Sequence, residues 1–328
     1  MTIFNSALRT MLKLAALSAL VAATPGWAAG EAFNGPIRIL VGFPAGGTID
    51  VVTRVVAQEM ADDIGVPVVV ESVTGAGGQL AAQALKRATP DGRTLMVAPD
   101  HTAVVIPLTV ANPGFNVATD FAPVGLIADY AGALAVSQAS GIKDMAGFLA
   151  SVKANPKTGN VGVAAAGSKP QFQLRALSVQ QHLELNAVPY RGSVPLVQDL
   201  AGGHLTAGIT ALGDFLEFNK DGKLKVIAIV GDRRSVILPD VPTATELGYP
   251  MRINFWIGMF APTGTPPALV TRLNQSITKA LGSSKVRERM AALVFEPKTS
   301  TPAELNERIA AEMKLWAPLI SAAGWVKQ

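Results

Sequence analysis

The chain has 328 residues, of which 49% are hydrophobic and 16% charged, and its formal net charge at pH 7 is +4. It contains no cysteine, which excludes disulfides, thiolate metal sites and cysteine nucleophiles. Because the basic residues are scattered along the sequence, we predict neither a nucleic-acid-binding surface nor a polybasic membrane patch.

The N-terminal segment has the pattern of a secretory signal peptide. Arg9 and Lys13 precede an apolar run, Leu14–Ala23, that is too short to span a bilayer. Small residues then occupy positions 26 and 28, as a signal peptidase requires. We therefore expect residues 1–28 to be cleaved and the mature chain to be exported to the periplasm. The net charge then falls from +4 to +2, because two basic residues and no acid are lost.

Short β-branched runs alternate with longer helical stretches at the start of the mature chain. Strands are predicted at 37–43, 66–71 and 94–98, and helices at 49–64 and 78–88 lie between them. Strand–helix–strand repetition at this spacing predicts a parallel, doubly wound sheet.

A second series of strands and helices begins near residue 131. Its predicted strands are 133–136, 160–165, 226–230 and 254–261, and its predicted helices are 143–154, 168–182, 267–281, 285–293 and 301–322. We interpret the two series as two α/β lobes, the second inserted into the first. Residues 29–128 and 252–328 would form lobe 1, and residues 129–251 lobe 2.

The first strand-to-helix turn has the features of an anion site. It consists of Phe43, Pro44, Ala45, Gly46, Gly47 and Thr48. Such turns lie at the C-terminal edge of a parallel sheet, where glycines allow close approach and the helix start offers N–H groups. No Gly-Lys-Ser/Thr follows, so a phosphate-binding loop is excluded. We interpret Asp50, in the first helical turn, as the ion-pair partner of Arg54.

Two later turns extend the pattern. Gly75–Gln79 follows the second strand with the wrong spacing for a dinucleotide fingerprint, so we interpret it as a cleft loop. Ala164–Gln171 opens a helix, with Ser168 as its N-cap and Pro170 in its first turn. Two helix N-termini facing each other across a cleft would hold a carboxylate through backbone N–H groups, without a lysine.

Catalytic constellations are missing from the sequence. Its three histidines, His101, His182 and His204, include no pair at chelating spacing, and no serine lies in a Gly-x-Ser-x-Gly elbow. We therefore predict a binding protein with no enzymatic activity, metal or cofactor. Asp100 and His101 follow a strand at a position expected to face the cleft, and they fit either a specificity contact or an ordinary turn.

Six short segments, in order over nearly the whole mature chain, carry a resemblance to a known family. They are Phe43–Asp50, Pro90–Leu95, Phe121–Val124, Val188–Gly192, Leu238–Thr243 and Phe260–Pro266. They resemble the Bug family of periplasmic solute-binding receptors, which are similar to the TctC component of tripartite tricarboxylate transporters. The resemblance implies an α/β, two-lobed type II periplasmic-binding-protein fold with a ligand cleft between the lobes. It also implies that one ligand carboxylate is held between the turns at 44–48 and 165–171, partly through ordered waters.

The turns and the resemblance together give a set of expected ligand-binding residues. The set is Phe43, Pro44, Ala45, Gly46, Gly47, Thr48, Gly77, Gln79, Asp100, His101, Ala165, Ala166, Gly167, Ser168, Gln171, Tyr190 and Thr210. Thr206 and Thr210 stand where family members carry aspartates, and Asp100 replaces what is often a small or amide residue. These departures suggest a ligand with a cationic or donor group beside its carboxylate.

The resemblance also implies partners. We expect a small organic carboxylate as the ligand, and a monomer that serves the membrane subunits of a tripartite tricarboxylate transporter. A receptor that senses its ligand for a two-component sensor kinase is the alternative that the sequence leaves open. No nucleic-acid partner is expected.

Overall fold

One long strand, β4 (Phe121–Ser137), organises the fold in a computed structural model that describes residues 33–249 and 251–327. Residues from Gly35 onward form one compact unit. The predicted signal peptide, residues 1–28, lies outside the described residues. None of the helices within the described ranges is both long and apolar enough to cross a membrane.

The first half of the sheet consists of β4 up to Ala131 and five other strands. These are β1 (Ile37–Val41), β2 (Val68–Ser72), β3 (Thr94–Pro99), β9 (Asn254–Pro262) and β10 (Phe295–Pro297). The order is β2-β1-β3-β9-β4, with β1 parallel to β2 and β3. Strand β9 runs antiparallel to both β3 and β4, and β10 pairs antiparallel with β4. The parallel sheet predicted for the first three strands is therefore confirmed.

The second half of the sheet continues from Gly132 to the end of β4. It contains β5 (Asn160–Val163), β6 (Asn186–Pro189), β7 (Ala207–Ala211) and β8 (Leu224–Val230). Both β7 and β8 pair antiparallel with β4, while β5 is parallel to β6 and β7. Because β4 belongs to both halves, the polypeptide passes between them without a break in the sheet. The lobe boundaries given above stay predictions.

The helices lie between and after these strands. They are α1 (Thr48–Ile64), α2 (Gln79–Lys86), α3 (Ile106–Thr109), α4 (Val117–Asp120), α5 (Met145–Ala154), α6 (Lys169–Gln181), α7 (Ser193–Ala201), α8 (Leu212–Lys220), α9 (Pro267–Gly282), α10 (Ser284–Ala292) and α11 (Pro302–Ala322). A π-helical turn, His101–Val105, leads into α3. The C-terminal α11 begins with a capping box between Thr301 and Glu304 and packs against β4 and α3.

Each half of the sheet packs its own apolar core. Trp256, Phe260 and Leu305 belong to a buried cluster in the first half. Phe148 and Ile209 belong to a buried cluster in the second. Burying apolar surface contributes on the order of 25 cal/mol per Å², so two separate cores allow each half to keep its shape without disulfides.

The main difference from the sequence-based elements concerns β4, for which only residues 133–136 were expected. Its earlier part contains Pro123 and Gly125, which interrupt the apolar pattern. The pairing with β9 shifts register at Pro123/Gly125 and again at Leu126/Ala128. These irregularities hide a continuous strand from a search for alternating residues. Strands β6, β7 and β10, of three to five residues, were also missed.

Candidate functional site

Two adjoining cavities lie where the strand-to-helix turns of the two halves meet. The small cavity has a volume of about 80 Å³ and the large cavity about 730 Å³. They share a wall made of Phe43, Pro44, His101, Ala164 and Ala165. Two of these residues belong to the turn before α1 and two to the turn before α6, so the predicted pair of turns does enclose a common space.

Most of the expected ligand-binding residues line one cavity or both. Those on the small cavity are Phe43, Pro44, Gly47, Thr48, Asp100, His101, Ala165, Ser168 and Thr210. Those on the large cavity are Phe43, Pro44, Gly77, Gln79, His101, Ala165, Ala166 and Tyr190. Within the described part of the chain, four expected residues line neither of them: Ala45, Gly46, Gly167 and Gln171.

Local hydrogen bonds explain these four positions. Ala45 and Gly46 are exposed at the tip of the turn, and the Gly46 N–H donates to Asp50 Oδ2 at 3.1 Å. The Gly167 N–H donates to Gln171 Oε1 at 2.9 Å, which closes the second turn on itself. Two backbone donors that the sequence suggested for the ligand are therefore used within their own turns.

The predicted pairing of Asp50 with Arg54 is confirmed. Arg54 Nε and one terminal nitrogen donate to the two carboxylate oxygens of Asp50, each at 2.9 Å. Asp50 is buried and lines the small cavity, so its carboxylate lies near the site although Arg54 neutralises it. A paired acid in the first helical turn also stabilises the start of α1.

Asp214, which the sequence-based set omits, caps the start of α1 from the other half of the molecule. The Thr48 N–H donates to Asp214 Oδ1 at 3.1 Å, and Thr210 Oγ1 donates to Asp214 Oδ2 at 2.9 Å. Burial raises the pKa of Asp214, and the Thr48 and Thr210 donors partly oppose that shift. The position usually occupied by an anion at a helix N-terminus is thus taken by a carboxylate of the protein itself.

The start of α6 differs, because its cap residue is not engaged. Ser168 has the extended backbone of an N-cap, as predicted. Its Oγ is buried and, among the described residues, has no hydrogen-bond partner. Ser168 also lines the small cavity. A buried hydroxyl without a partner is costly, so this group is placed to accept or donate a bond to an incoming molecule.

Lys169, the first residue of α6, forms the second bridge across the cleft. Its Nζ lies 2.5 Å from Asp100 Oδ2 and 2.7 Å from Glu312 Oε2, with only 2% of the side chain exposed. Trp256 Nε1 donates to the other Glu312 oxygen at 2.7 Å. Burial alone would lower the pKa of Lys169, but attraction to Asp100 and Glu312 outweighs it, and the pKa is raised. The lysine therefore stays charged.

Asp100 and His101 respond to the same surroundings in opposite directions. Burial raises the pKa of Asp100 to about 6, although Lys169 opposes the shift. Burial and the nearby Lys169 charge lower the pKa of His101 to about 4. At neutral pH the imidazole is therefore uncharged and Asp100 is an anion paired with Lys169. Both residues line the small cavity, as expected of a position that faces the cleft, and a specificity contact by either residue stays a prediction.

The large cavity has a different lining. Gly77 has φ +66°, and a Cβ there would lie 2.6 Å from His101 Nε2, so only glycine allows this loop to close on the imidazole. Tyr190 donates its hydroxyl to Asp199 Oδ2 at 2.8 Å, and burial together with this bond raises its pKa to about 12. Arg191 adds a cation that the sequence-based set did not include.

The two halves touch closely around these cavities. A Cβ on Gly192, which has φ +103°, would lie 2.5 Å from Pro44 Cδ. Together with the Thr48–Asp214 and Lys169–Asp100 contacts, this approach gives the cleft a closed geometry. No cluster of three or more histidine, aspartate or glutamate side chains that could hold a metal occurs in the described ranges.

Comparisons with known proteins agree with this geometry. A family model described as the tripartite tricarboxylate transporter family receptor matches residues 52–325. The chain is 32% identical over 320 residues to Protein BugT of Bordetella pertussis (strain Tohama I), covering 96% of this chain and 98% of that protein. The periplasmic binding protein BugD has a TM-score of 0.85 at 30% identity, over 90% of this chain and 99% of its own.

A further solved structure is similar over the same range. MatC from Rhodopseudomonas palustris, with bound malate, has a TM-score of 0.81 at 30% identity, over 88% of this chain and 99% of its own. These similarities confirm the predicted fold class, an α/β periplasmic-binding-protein fold.

Proposed function

This chain belongs to the tripartite tricarboxylate transporter family of receptors, and from that premise we propose that it captures a small carboxylate-bearing ligand in the two cavities. The protein is a solute-binding receptor of a transport system. In our proposal it acts in the periplasm as a monomer, after removal of residues 1–28, and delivers its ligand to membrane subunits without chemical change. The malate held by MatC supports a carboxylate as the ligand.

The observation that carries the proposal is the shared wall between the cavities. Turns from the two halves meet there, through Pro44 on one side and Ala165 on the other. A ligand at this wall would contact both halves at once, and the energy of those contacts would favour the closed form. Binding coupled to closure is how a receptor of this shape would signal occupancy to a membrane partner.

Several groups are suited to hold a carboxylate at or near this wall. The N-terminus of α6 offers backbone N–H groups and the Ser168 hydroxyl. Gln79 and Arg191 line the large cavity and add side-chain donors. We propose that the carboxylate lies among these groups, next to Ala165.

A thermal-shift screen over mono- and dicarboxylates, aromatic acids and amino acids tests the proposal. A ligand that binds only the folded protein raises the melting temperature by mass action. We expect at least one carboxylate to do so. If none does, while the protein melts cooperatively, a carboxylate receptor is the wrong function.

Gly47→Asp then tests the position of the site with the best ligand from that screen. A Cβ at Gly47 would lie 3.3 Å from Ser193 Oγ, so a new carboxylate there enters the small cavity beside Asp214. We expect affinity to fall at least about 100-fold, because the new side chain takes up the small cavity and its charge repels the ligand carboxylate at the adjoining wall. Gly47→Ala, which adds the Cβ without the charge, is the matched control and should lose less than about fivefold. Equal affinities for both variants would place the ligand elsewhere.

A further inference from the structure

We propose that Asp214 selects a ligand whose end remote from the carboxylate carries a hydrogen-bond donor or a cation, and that it excludes a second carboxylate. The inference rests on the proposed function, because it concerns the same pair of cavities. It assigns the small cavity to the donor end of the ligand and the neighbouring wall to the carboxylate.

The charges around the small cavity are the first support. Three aspartates line it: Asp50, Asp100 and Asp214. Arg54 neutralises Asp50, and Lys169 lies against Asp100. Asp214 accepts from the Thr48 N–H and the Thr210 hydroxyl, and the Ser193 hydroxyl is a further uncharged donor beside it. In the described part of the chain, no lysine or arginine lines this cavity. Asp214 is therefore the carboxylate of this cavity that has no cation beside it.

Unpartnered polar atoms on the cavity wall are the second, independent support. Asp100 is 1% exposed and Ser168 is 6% exposed. In the ranges covered by the structure, Asp100 Oδ1 and Ser168 Oγ are buried without a hydrogen-bond partner. Both residues line the small cavity. Buried acceptors are normally satisfied. A carboxylate oxygen can only accept, so Asp100 Oδ1 indicates that a ligand donor belongs beside it, while the Ser168 hydroxyl is free to donate to the ligand carboxylate.

The position of Asp214 also determines the orientation of the ligand in the two cavities. Its carboxylate already occupies the N-terminus of α1 through Thr48. A ligand carboxylate at the same place would meet a like charge in surroundings that screen it poorly. The open N-terminus at Ser168 and the cation Arg191 are the alternatives for that group. The ligand's other end then points to Asp214.

The remaining wall limits the size of that end. Tyr130, Ile209 and Phe255 line the small cavity with mostly apolar surface. A volume of about 80 Å³ leaves room for a compact group such as an ammonium, a hydroxyl or an amide. In such a site a buried donor facing Asp214 forms a charge-assisted bond, whereas a methyl group leaves the aspartate without that partner.

Isothermal titration calorimetry with a matched ligand series tests the inference. The probes are 4-aminobutanoate, 4-hydroxybutanoate, pentanoate and glutarate, and the same four one methylene longer, because they differ only in the terminal group. We expect the amino or hydroxy acid of one length to bind at least tenfold tighter than the corresponding dicarboxylate. In Asp214→Asn that ratio should fall at least tenfold. Asp221→Asn removes the same charge from an exposed position and should leave the ratio unchanged.

The outcomes separate the inference from the proposed function. If the dicarboxylates bind wild-type protein more tightly than the amino and hydroxy acids, the inference is overturned while the carboxylate receptor stands. The same holds if Asp214→Asn weakens all probes equally, since the aspartate would then have only a structural role. The order of the probe affinities for the wild-type protein tests the inference even if Asp214→Asn does not fold. If no carboxylate of either length binds, and none from the broader screen does, both proposals fall.

Discussion

The two helix starts at the cleft, α1 and α6, look alike in sequence but use their first residues differently. At α1 the backbone crosses the cleft: the Thr48 N–H donates to Asp214 of the other half. At α6 a side chain crosses: Lys169 reaches Asp100 and Glu312. The first N-terminus is thereby capped by the protein, while at the second the Ser168 hydroxyl has no partner among the described residues.

This difference shows that a helix N-terminus is a ligand site only when the protein leaves it open. Glycine and a hydroxyl residue occur at both turns, and both suit an anion equally well on local grounds. In our proposal the ligand is received at the α6 start, because Asp214, more than 160 residues after Thr48 in the chain, already caps the α1 start. The comparison therefore predicts unequal effects for changes at the two starts.

Removing the side-chain bridge should have the largest effect. In Lys169→Met, Asp100 stays buried and loses its cation, whereas Glu312 is only partly buried and keeps Arg308. Breaking a buried ion pair from one side typically costs about 3–5 kcal/mol of unfolding free energy. We expect a loss of that size in urea denaturation at pH 7. Lys143→Met, at an exposed position, is the control and should change stability by less than about 0.5 kcal/mol.

A double variant tests the same buried ion pair further. Adding Asp100→Asn to Lys169→Met removes the buried charge that lost its cation, so part of the lost stability should return. If Lys169→Met costs less than about 1 kcal/mol, then the bridge contributes little and the two helix starts are more alike than their contacts suggest.

The fold was largely predictable because its signals are local. Apolar runs and helical spacing identified β1, β2, β3 and the helices between them, and the turns at their ends follow from glycine and proline. Most of strand β4 was not predictable from the sequence, because its pairing with β9 changes register around Pro123 and Gly125. Register depends on the partner strand β9, which lies far away in sequence, and no local pattern encodes it.

The site residues also divide into those that local sequence predicts and those that it does not. The turns at Pro44 and Ala165 were predicted from their place after strands, and both line the cavities. Asp214 was missed although it lies four residues after Thr210, because nothing local shows that its carboxylate reaches Thr48. Lys169 lies inside the predicted turn Ala164–Gln171, but its ion-pair partner Glu312 lies 143 residues away in the chain. Contacts between residues of the two halves of the sheet cannot be predicted from local sequence and are known only from the folded structure.

A pH titration of stability tests the intermediate effect, the lowering of the His101 pKa by burial and by the nearby Lys169 charge. Because the pKa of His101 is lowered from 6.5 to about 4 in the folded protein, the unfolded chain binds more protons between these values. The unfolding free energy therefore falls as the pH drops from 6.5 to 4. In His101→Gln this contribution is absent, so the difference between wild type and variant should change by about 3 kcal/mol over that range.

The contributions of His101 and Asp100 to stability change in opposite directions with pH. Asp100, with its pKa raised to about 6, acts in the opposite direction: its contribution to stability falls as the pH rises from about 4 to 6. The His101→Gln variant should therefore lose stability more steeply than wild type as the pH rises through this window. Parallel curves for the two proteins would mean that the imidazole is not held neutral beside Lys169.

The smallest predicted effect distinguishes a hydroxyl without a partner, at the N-cap of α6, from a hydrogen-bonded hydroxyl on the same helix. Ser168 Oγ, buried without a partner in the part of the chain that the structure describes, should matter for ligand and not for folding. Ser178 Oγ on α6 donates to the Leu183 carbonyl at 2.5 Å and should matter only for folding. We expect Ser168→Ala to weaken binding by about 1 kcal/mol, or roughly fivefold, with unchanged unfolding free energy. Ser178→Ala should lose about 1 kcal/mol of stability and keep its affinity. Calorimetry and urea denaturation measure the two quantities, and if Ser168→Ala costs stability instead of affinity, then the α6 start is as closed to ligand as the α1 start.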